Sequence, residues 1–350
     1  MYNERYYGID LLRLVLMFMV CMLHILGQGG VLSASHRGSI EYGAFWFLEV
    51  CSCCAVDGFA IISGYVSSKR IPKWNKIVNM WFQVFFYSFI LTMILIPINS
   101  GSNVEIKSLI KSFMPVTSGY FWYFTAYFAL FFAMPMLDLF VDHMDIHTAR
   151  KTMVIIIGVF SIMGLPFDAF GTKYGYSAIW LMVLYCLGAL AKKTNLFSKM
   201  KSSTLIIMFL VLSILSWGGL IVLNTGRLIN YISPTILLNA LILVILFSRI
   251  KLKGSLIKKL SPLAFGIYLF QLNSVIWNDI LKESMIFITS QPLVAGVGYV
   301  ILFSFILFAL GLIVEFSRNQ IANALRIPIL SQKIVDISSK TLAKIILLFR

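Results

Sequence analysis

Ten apolar runs of about 20 residues, separated by short segments that hold most of the basic side chains, leave this chain few ways to fold. A helix rises about 1.5 Å per residue, so such a run is long enough to cross the roughly 30 Å hydrocarbon core of a bilayer. Inside that core the backbone can satisfy its own hydrogen bonds only as a helix or a closed barrel. The runs lie near residues 9–28, 44–66, 77–98, 120–141, 152–170, 177–191, 204–223, 231–248, 262–281 and 293–316. The sixth is short and the fifth carries Pro166, so these two are the weakest spans. With 59% hydrophobic and 12% charged residues, the expected fold class is an all-α polytopic membrane helical bundle of about ten transmembrane helices.

The basic residues supply an orientation. Positive segments resist translocation, so Lys and Arg gather on cytoplasmic loops. With the N-terminus inside, the inner segments hold 22 of the 29 Lys and Arg and the outer loops six; Arg13 lies within the first run. Both termini are then cytoplasmic. The net charge of +15 follows from this bias and from attraction to anionic lipid, and requires no nucleic-acid partner. The first run is too long and too charged for a cleaved signal peptide and reads as a permanent helix. The longest stretches between runs are about 20 residues, which leaves no room for a soluble domain. Residues 1–317 form the membrane domain. Residues 318–350 read either as a basic amphipathic cytoplasmic tail on the inner leaflet or as a frayed basic tail. The five cysteines match no zinc spacing and suit small buried thiols.

Within the first run, Arg13 and His24 stand eleven residues apart. Eleven steps of about 100° return a helix to within roughly 20° of its start, so both lie on one face, some 16 Å apart along the axis. Asp10 shares that face, one turn before Arg13. An ionised side chain at the centre of a membrane helix costs about 2.5–3.5 kcal/mol on insertion scales, so this stripe must face protein or water. Arg13 can anchor a phosphate or form a buried pair with Asp10 or Asp57.

Asp57 opens the element Asp57-Gly-Phe-Ala-Ile-Ile-Ser63-Gly-Tyr65, followed by Lys69 and Arg70. Gly58, Ser63 and Gly64 also suit close helix packing, whereas Asp57 is hard to explain that way. A fourth-run start at Tyr120-Phe-Trp122-Tyr-Phe also fits an interfacial aromatic belt. Near the ninth run, Ser261-Pro-Leu-Ala-Phe-Gly266-Ile-Tyr268-Leu-Phe-Gln271 opens on a proline and places Tyr268 and Gln271 at membrane depth.

On these residues the chain resembles acyltransferase family 3, bacterial integral-membrane O-acyltransferases of surface glycans. Arg13 and His24 fit the family's arginine, ten residues, histidine arrangement, and Asp57 to Tyr65 fits the element closing its second helix. Lys69 and Arg70 fit the basic residues after it, Trp122-Tyr-Phe a later helix start, and Gly266-Ile-Tyr-Leu the late segment. One departure is Gln271, where many relatives have a histidine; an amide cannot act as a general base, which leaves His24.

The resemblance implies transfer of an acyl group, usually acetyl, from cytoplasmic acyl-coenzyme A to a sugar hydroxyl, in a bacterial plasma or inner membrane. His24 is then the base, Arg13 with Lys69 and Arg70 the donor's anion site, and Asp10 and Asp57 orienting partners. Ser63, Tyr65, Trp122, Tyr268 and Gln271 are expected as support for substrate or structure. The expected partners are membrane lipid and a glycan acceptor, with acetyl-CoA as donor and no metal. A transporter or flippase for a lipid-linked glycan or amphipathic solute is the alternative, weakened by the lack of an internal repeat. A polysaccharide polymerase is a further rival, weakened by the modest outer loops.

Overall fold

The computed structural model describes residues 6–67, 73–98, 106–252 and 254–348, and among these every regular element is helical. Ten segments run back and forth in chain order. They are α1 Tyr7–Leu26, α2 Ile40–Tyr65, α3 Trp74–Pro97, α4 Trp122–Asp142 and α5 Ile146–Met163. Then follow α6 Ala178–Lys193, α7 Ser202–Ile221, α8 Gly226–Ser248, α9 Ser255–Gln271 and α10 Leu293–Ala324. A last helix, α11 Ile327–Leu348, packs against α3, where Ser331 Oγ donates to Asn79 Oδ1 at 2.6 Å.

Eight of these helices are long and apolar enough to cross a bilayer; α9 and the arm Ile276–Ser290 form a ninth, bent by 72°. The remaining segment, α6, has 16 residues and a length of about 24 Å. It can be short because protein surrounds it. Trp180, Leu181, Leu184, Tyr185 and Leu187 are all buried.

The helices are sorted by what they carry. α1 and α2, which hold Asp10, Arg13, His24, Glu49 and Asp57, are each 67% buried across their apolar window, whereas α5 is 17% and α7 and α10 are 22%. The peripheral helices turn Ile207, Leu210, Ile214, Phe305 and Ile313 outward, as apolar lipid-facing surface requires. α1 and α2 carry these groups along one or more turns deep in their apolar runs and so must be central, because a charge facing lipid is the costliest arrangement open to them.

Glycines set the closest approaches. A β-carbon at Gly64 would collide with the Tyr185 carbonyl, and one at Gly188 with the Ile61 carbonyl, so α2 and α6 meet backbone to backbone. The Ser-Gly-Tyr end of α2 is thus first of all a packing surface. The next residues are pinned there: Ser67 Oγ lies 2.8 Å from Asp138 Oδ2, and Tyr185 donates to Asp138 Oδ1 at 2.7 Å.

Three boundaries differ from those read in the sequence. α5 starts earlier, at Ile146, because Asp145 caps it by accepting from Thr148 N at 2.8 Å, and it ends before Pro166. α10 continues past Phe316 to Ala324, so no helix end falls at residue 317. The ninth run is broken at residues 272–275. Asn273 there donates to Tyr87 O and Thr92 Oγ1, both at 2.8 Å, and Tyr120 accepts from Ser274 N at 3.0 Å. The Asn273 side chain thereby ties the break to α3, and the Tyr120 hydroxyl, before α4, satisfies a backbone N–H at the break, as burial in protein permits.

Candidate active site

A cavity of about 860 Å³ runs beside α1 and touches it from Asp10 to His24, about 21 Å of helix rise. One α1 stripe lines it, Asp10, Arg13, Met17, Val20 and His24, and Gln28 in the turn after the helix continues it. Their spacings of three and four residues are those of one helical face. The first-helix row of ionisable residues therefore faces an internal space, and the other walls come from α2, α3, α4, α9 and the bent arm.

At one end, Arg13 Nη1 donates to Asp10 Oδ1 at 2.6 Å, and Ser261 Oγ donates to the same oxygen at 3.1 Å. Asp10 is nearly covered and the Arg13 side chain is 31% exposed, so the carboxylate holds the arginine against the cavity wall. Lys76 of α3 lines the same end. Two cations on different helices are the side-chain types that bind anions, a guanidinium as a fork and an ammonium as a point charge.

At the other end stands His24. The bend after α9 brings Trp277 edge-on to its imidazole, with ring centroids 4.8 Å apart and planes at 85°. Gln28 Nε2 donates to the Trp277 carbonyl at 2.9 Å, which ties α1 to the arm. Beyond Gln28, the Glu283 and Met285 amides each donate at 2.9 Å, to Gln28 O and Gly29 O respectively. Gly30 adopts a left-handed φ of 85°, which a glycine takes without strain, and a β-carbon there would press on Ile286. Gln271 lies beside both His24 and Cys21, with its amide also 3.9 Å from Met17 Sδ.

Four polar atoms on residues that line the cavity are buried without a protein partner: His24 Nδ1, Glu49 Oε2, Tyr123 OH and Tyr268 OH. Buried polar groups are almost always paired, so these four are groups that a molecule in the cavity can satisfy; among the described residues, five other such atoms lie on residues outside its lining.

Of the residues expected from sequence, Arg13, Asp10, His24, Ser63, Trp122 and Tyr268 line the cavity. Asp57 does not. It is fully buried behind Val56 and Phe59 and accepts from Trp180 Nε1 of α6 at 3.0 Å, so of the two expected partners it is Asp10 that holds Arg13. Gln271 is also fully buried outside the lining. Tyr65 lies apart, edge-on to Tyr6 at 6.5 Å. Lys69 and Arg70 fall outside the described residues. Among the described residues no group of three His, Cys, Asp or Glu side chains is placed to hold a metal ion.

Sequence reasoning missed Glu49, Lys76, Tyr176, Tyr231 and Trp277. Glu49 carries the same signal as Asp57, a carboxyl inside an apolar run, eight residues earlier in α2. Lys76 is indistinguishable from a positive-inside loop residue, and the aromatics from an interfacial belt.

Residues 6–316 match the family model of an acyltransferase domain, that of acyltransferase family 3. No curated protein and no solved structure matches the chain.

Proposed function

The chain belongs to acyltransferase family 3 and is an integral-membrane acyltransferase, and we propose that it moves an acyl group, most simply acetyl, from cytoplasmic acyl-coenzyme A to a sugar hydroxyl. The acceptor in this reading is a surface or capsular polysaccharide or its lipid-linked precursor, and the membrane is the plasma or inner membrane of a bacterium. One observation carries the proposal: a continuous cavity has a guanidinium and an ammonium at one end and an imidazole at the other, along one helix.

The charge bias of the loops puts the Arg13 end on the cytoplasmic side, where the donor arrives. Arg13 and Lys76 bind its pyrophosphate, the guanidinium through paired N–H donors. Eleven residues of α1 then separate anchor from base, about 16 Å, which is of the order of an extended pantetheine arm. Direct reach from one end to the other therefore needs no covalent acyl relay. Ser63, the one hydroxyl on this wall that suggests a nucleophile, donates to the Phe59 carbonyl at 3.0 Å, as an ordinary helix serine does.

At the far end the imidazole removes the proton of the acceptor hydroxyl as its oxygen attacks the thioester carbonyl. The tetrahedral intermediate collapses, the carbon–sulfur bond breaks, and the imidazolium returns the proton to the departing thiolate. General-base assistance of this kind typically adds 10²–10⁴ in rate. Trp277 and Gln271 hold the ring at its post.

The test uses membranes containing the full chain with radiolabelled acetyl-CoA. Label is expected on glycan with the wild type; His24→Ala should abolish transfer and leave donor binding within about twofold. Arg13→Ala should weaken donor binding by about 10- to 100-fold, the worth of a charge-assisted pair of hydrogen bonds. Loss of donor binding in His24→Ala would overturn the division of labour, and label that never leaves the donor would overturn the reaction.

A further inference from the structure

Glu49 belongs to the cavity but has no task in the scheme above. Its depth is fixed by two contacts between the antiparallel α1 and α2. Gly58 faces Leu16, and Ser52 Oγ approaches Met22 Sδ at 3.7 Å. Nine residues from Gly58 on α2 lead to Glu49, and nine from Leu16 on α1 lead to Ile25, so Glu49 stands at the level of His24. Its Oε2 is buried without a protein partner. A covered carboxyl oxygen with nothing to accept from is costly, and a ligand hydroxyl would relieve that cost.

The wall around it is aromatic. Trp122, Tyr176 and Tyr231 come from the start of α4, the segment before α6 and the turn inside α8. Their ring centroids are 4.6 Å (Trp122 to Tyr176), 5.1 Å (Tyr176 to Tyr231) and 6.4 Å apart, the last pair, Trp122 and Tyr231, stacked at 16°. Tyr176 and Tyr231 are close enough to Glu49 to interact with it electrostatically. The three rings line the same cavity as His24.

We propose that Glu49 and these rings form the acceptor subsite for a pyranose. The carboxyl accepts hydrogen bonds from ring hydroxyls, the apolar face of the sugar lies on the aromatic wall, and a neighbouring hydroxyl is presented to His24. An aromatic wall with one carboxyl also suits a quaternary ammonium. The unpaired Tyr123 and Tyr268 hydroxyls on the same cavity favour the sugar, because an alkylammonium head accepts no hydrogen bond from them. Only the presentation to His24 rests on the acyl-transfer reading; binding of the sugar does not.

The full chain in lipid nanodiscs is titrated with the methyl glycosides of glucose, galactose and N-acetylglucosamine, and with tetramethylammonium, following tryptophan fluorescence. At least one glycoside is expected to bind the wild type. Glu49→Ala should weaken it by about 10- to 100-fold, the worth of hydrogen bonds to a carboxylate, and Glu49→Gln by less. Trp122→Ala should weaken it independently, and unchanged thermal midpoints show that each variant is folded. The proposal is overturned if no glycoside binds the wild type, if both variants bind it as the wild type does, or if tetramethylammonium alone binds in a Glu49-dependent way. Glycoside binding that needs Glu49, in a protein that never transfers label from acetyl-CoA, would sustain the subsite and refute the reaction.

Discussion

Replacing Gly266 with alanine should damage this protein from a position that touches no substrate. Gly266 of α9 has Glu315 of α10 directly against it, so an added β-carbon would overlap the Glu315 carboxyl and its γ-carbon. That carboxyl cannot swing aside freely. Gln83 Nε2 donates to it at 3.0 Å, Tyr87 OH at 2.9 Å, and Arg318 from Nε at 2.8 Å and from Nη2 at 2.7 Å. Glu315 is 2% exposed. Relieving the overlap requires a shift large enough to break two or more of these bonds in a buried ion pair. Hydrogen bonds to charged groups are worth about 1.5–3 kcal/mol each, and disrupting a buried pair costs about 3–5 kcal/mol.

Gly266→Ala is therefore expected to lose about 3–5 kcal/mol, read as reversible unfolding in mixed micelles. Glu315→Asp, one methylene shorter, should cost stability alone but less in the Gly266→Ala background, a coupling that a double-mutant cycle measures. A Gly266→Ala protein within about 0.5 kcal/mol of wild type, or strict additivity in the cycle, would refute the claim that this glycine exists to admit the carboxylate.

Two further outcomes follow from the packing and from the break in the ninth run. Gly64→Leu should force α2 and α6 apart at the Tyr185 carbonyl and lower the thermal midpoint sharply, while Gly158→Ala, at a position with open space around it, should leave the midpoint unchanged. Asn273→Leu removes the donor to Tyr87 O and Thr92 Oγ1; because Trp277 follows the break, acyl transfer should fall by about tenfold or more in kcat, with donor binding unchanged in a filter-binding assay.

What the sequence revealed and what it hid divide along a physical line. The α1 stripe was readable because helical periodicity fixes which residues share a face: Asp10, Arg13 and His24 line one cavity as their spacing required. The polytopic helical bundle was readable because the length of an apolar run is a direct record of bilayer thickness, and eight helices, or nine with the bent pair, are long and apolar enough to cross. The partner of Asp57 was not. Trp180 lies 123 residues away, and nothing local to Asp57 distinguishes a carboxylate that reaches Arg13 from one that turns to α6.

The same holds for the ninth run. Its break depends on Asn273 finding Tyr87 and Thr92 across the bundle, so its hydropathy read as continuous. Gly266 was visible as part of a motif, but its reason, a carboxylate 49 residues later, was not. Glu49 shows a different failure: intramembrane charge is a signal on its own, and it went unread because no motif framed it.

The placement of Arg13 and His24 on one unbroken helix has a consequence for motion. α1 is continuous from Tyr7 to Leu26, so the axial distance between guanidinium and imidazole is set by eleven residues of hydrogen-bonded backbone. The wall opposite is built otherwise in part: Trp277 sits on a bent arm, and Tyr176 and Tyr231 stand on segments between helical stretches. Rocking of those parts would change the width of the cavity and the shape of its mouths while leaving its span untouched. The molecule can thus flex to admit or release what it binds and still keep its two chemical ends in register.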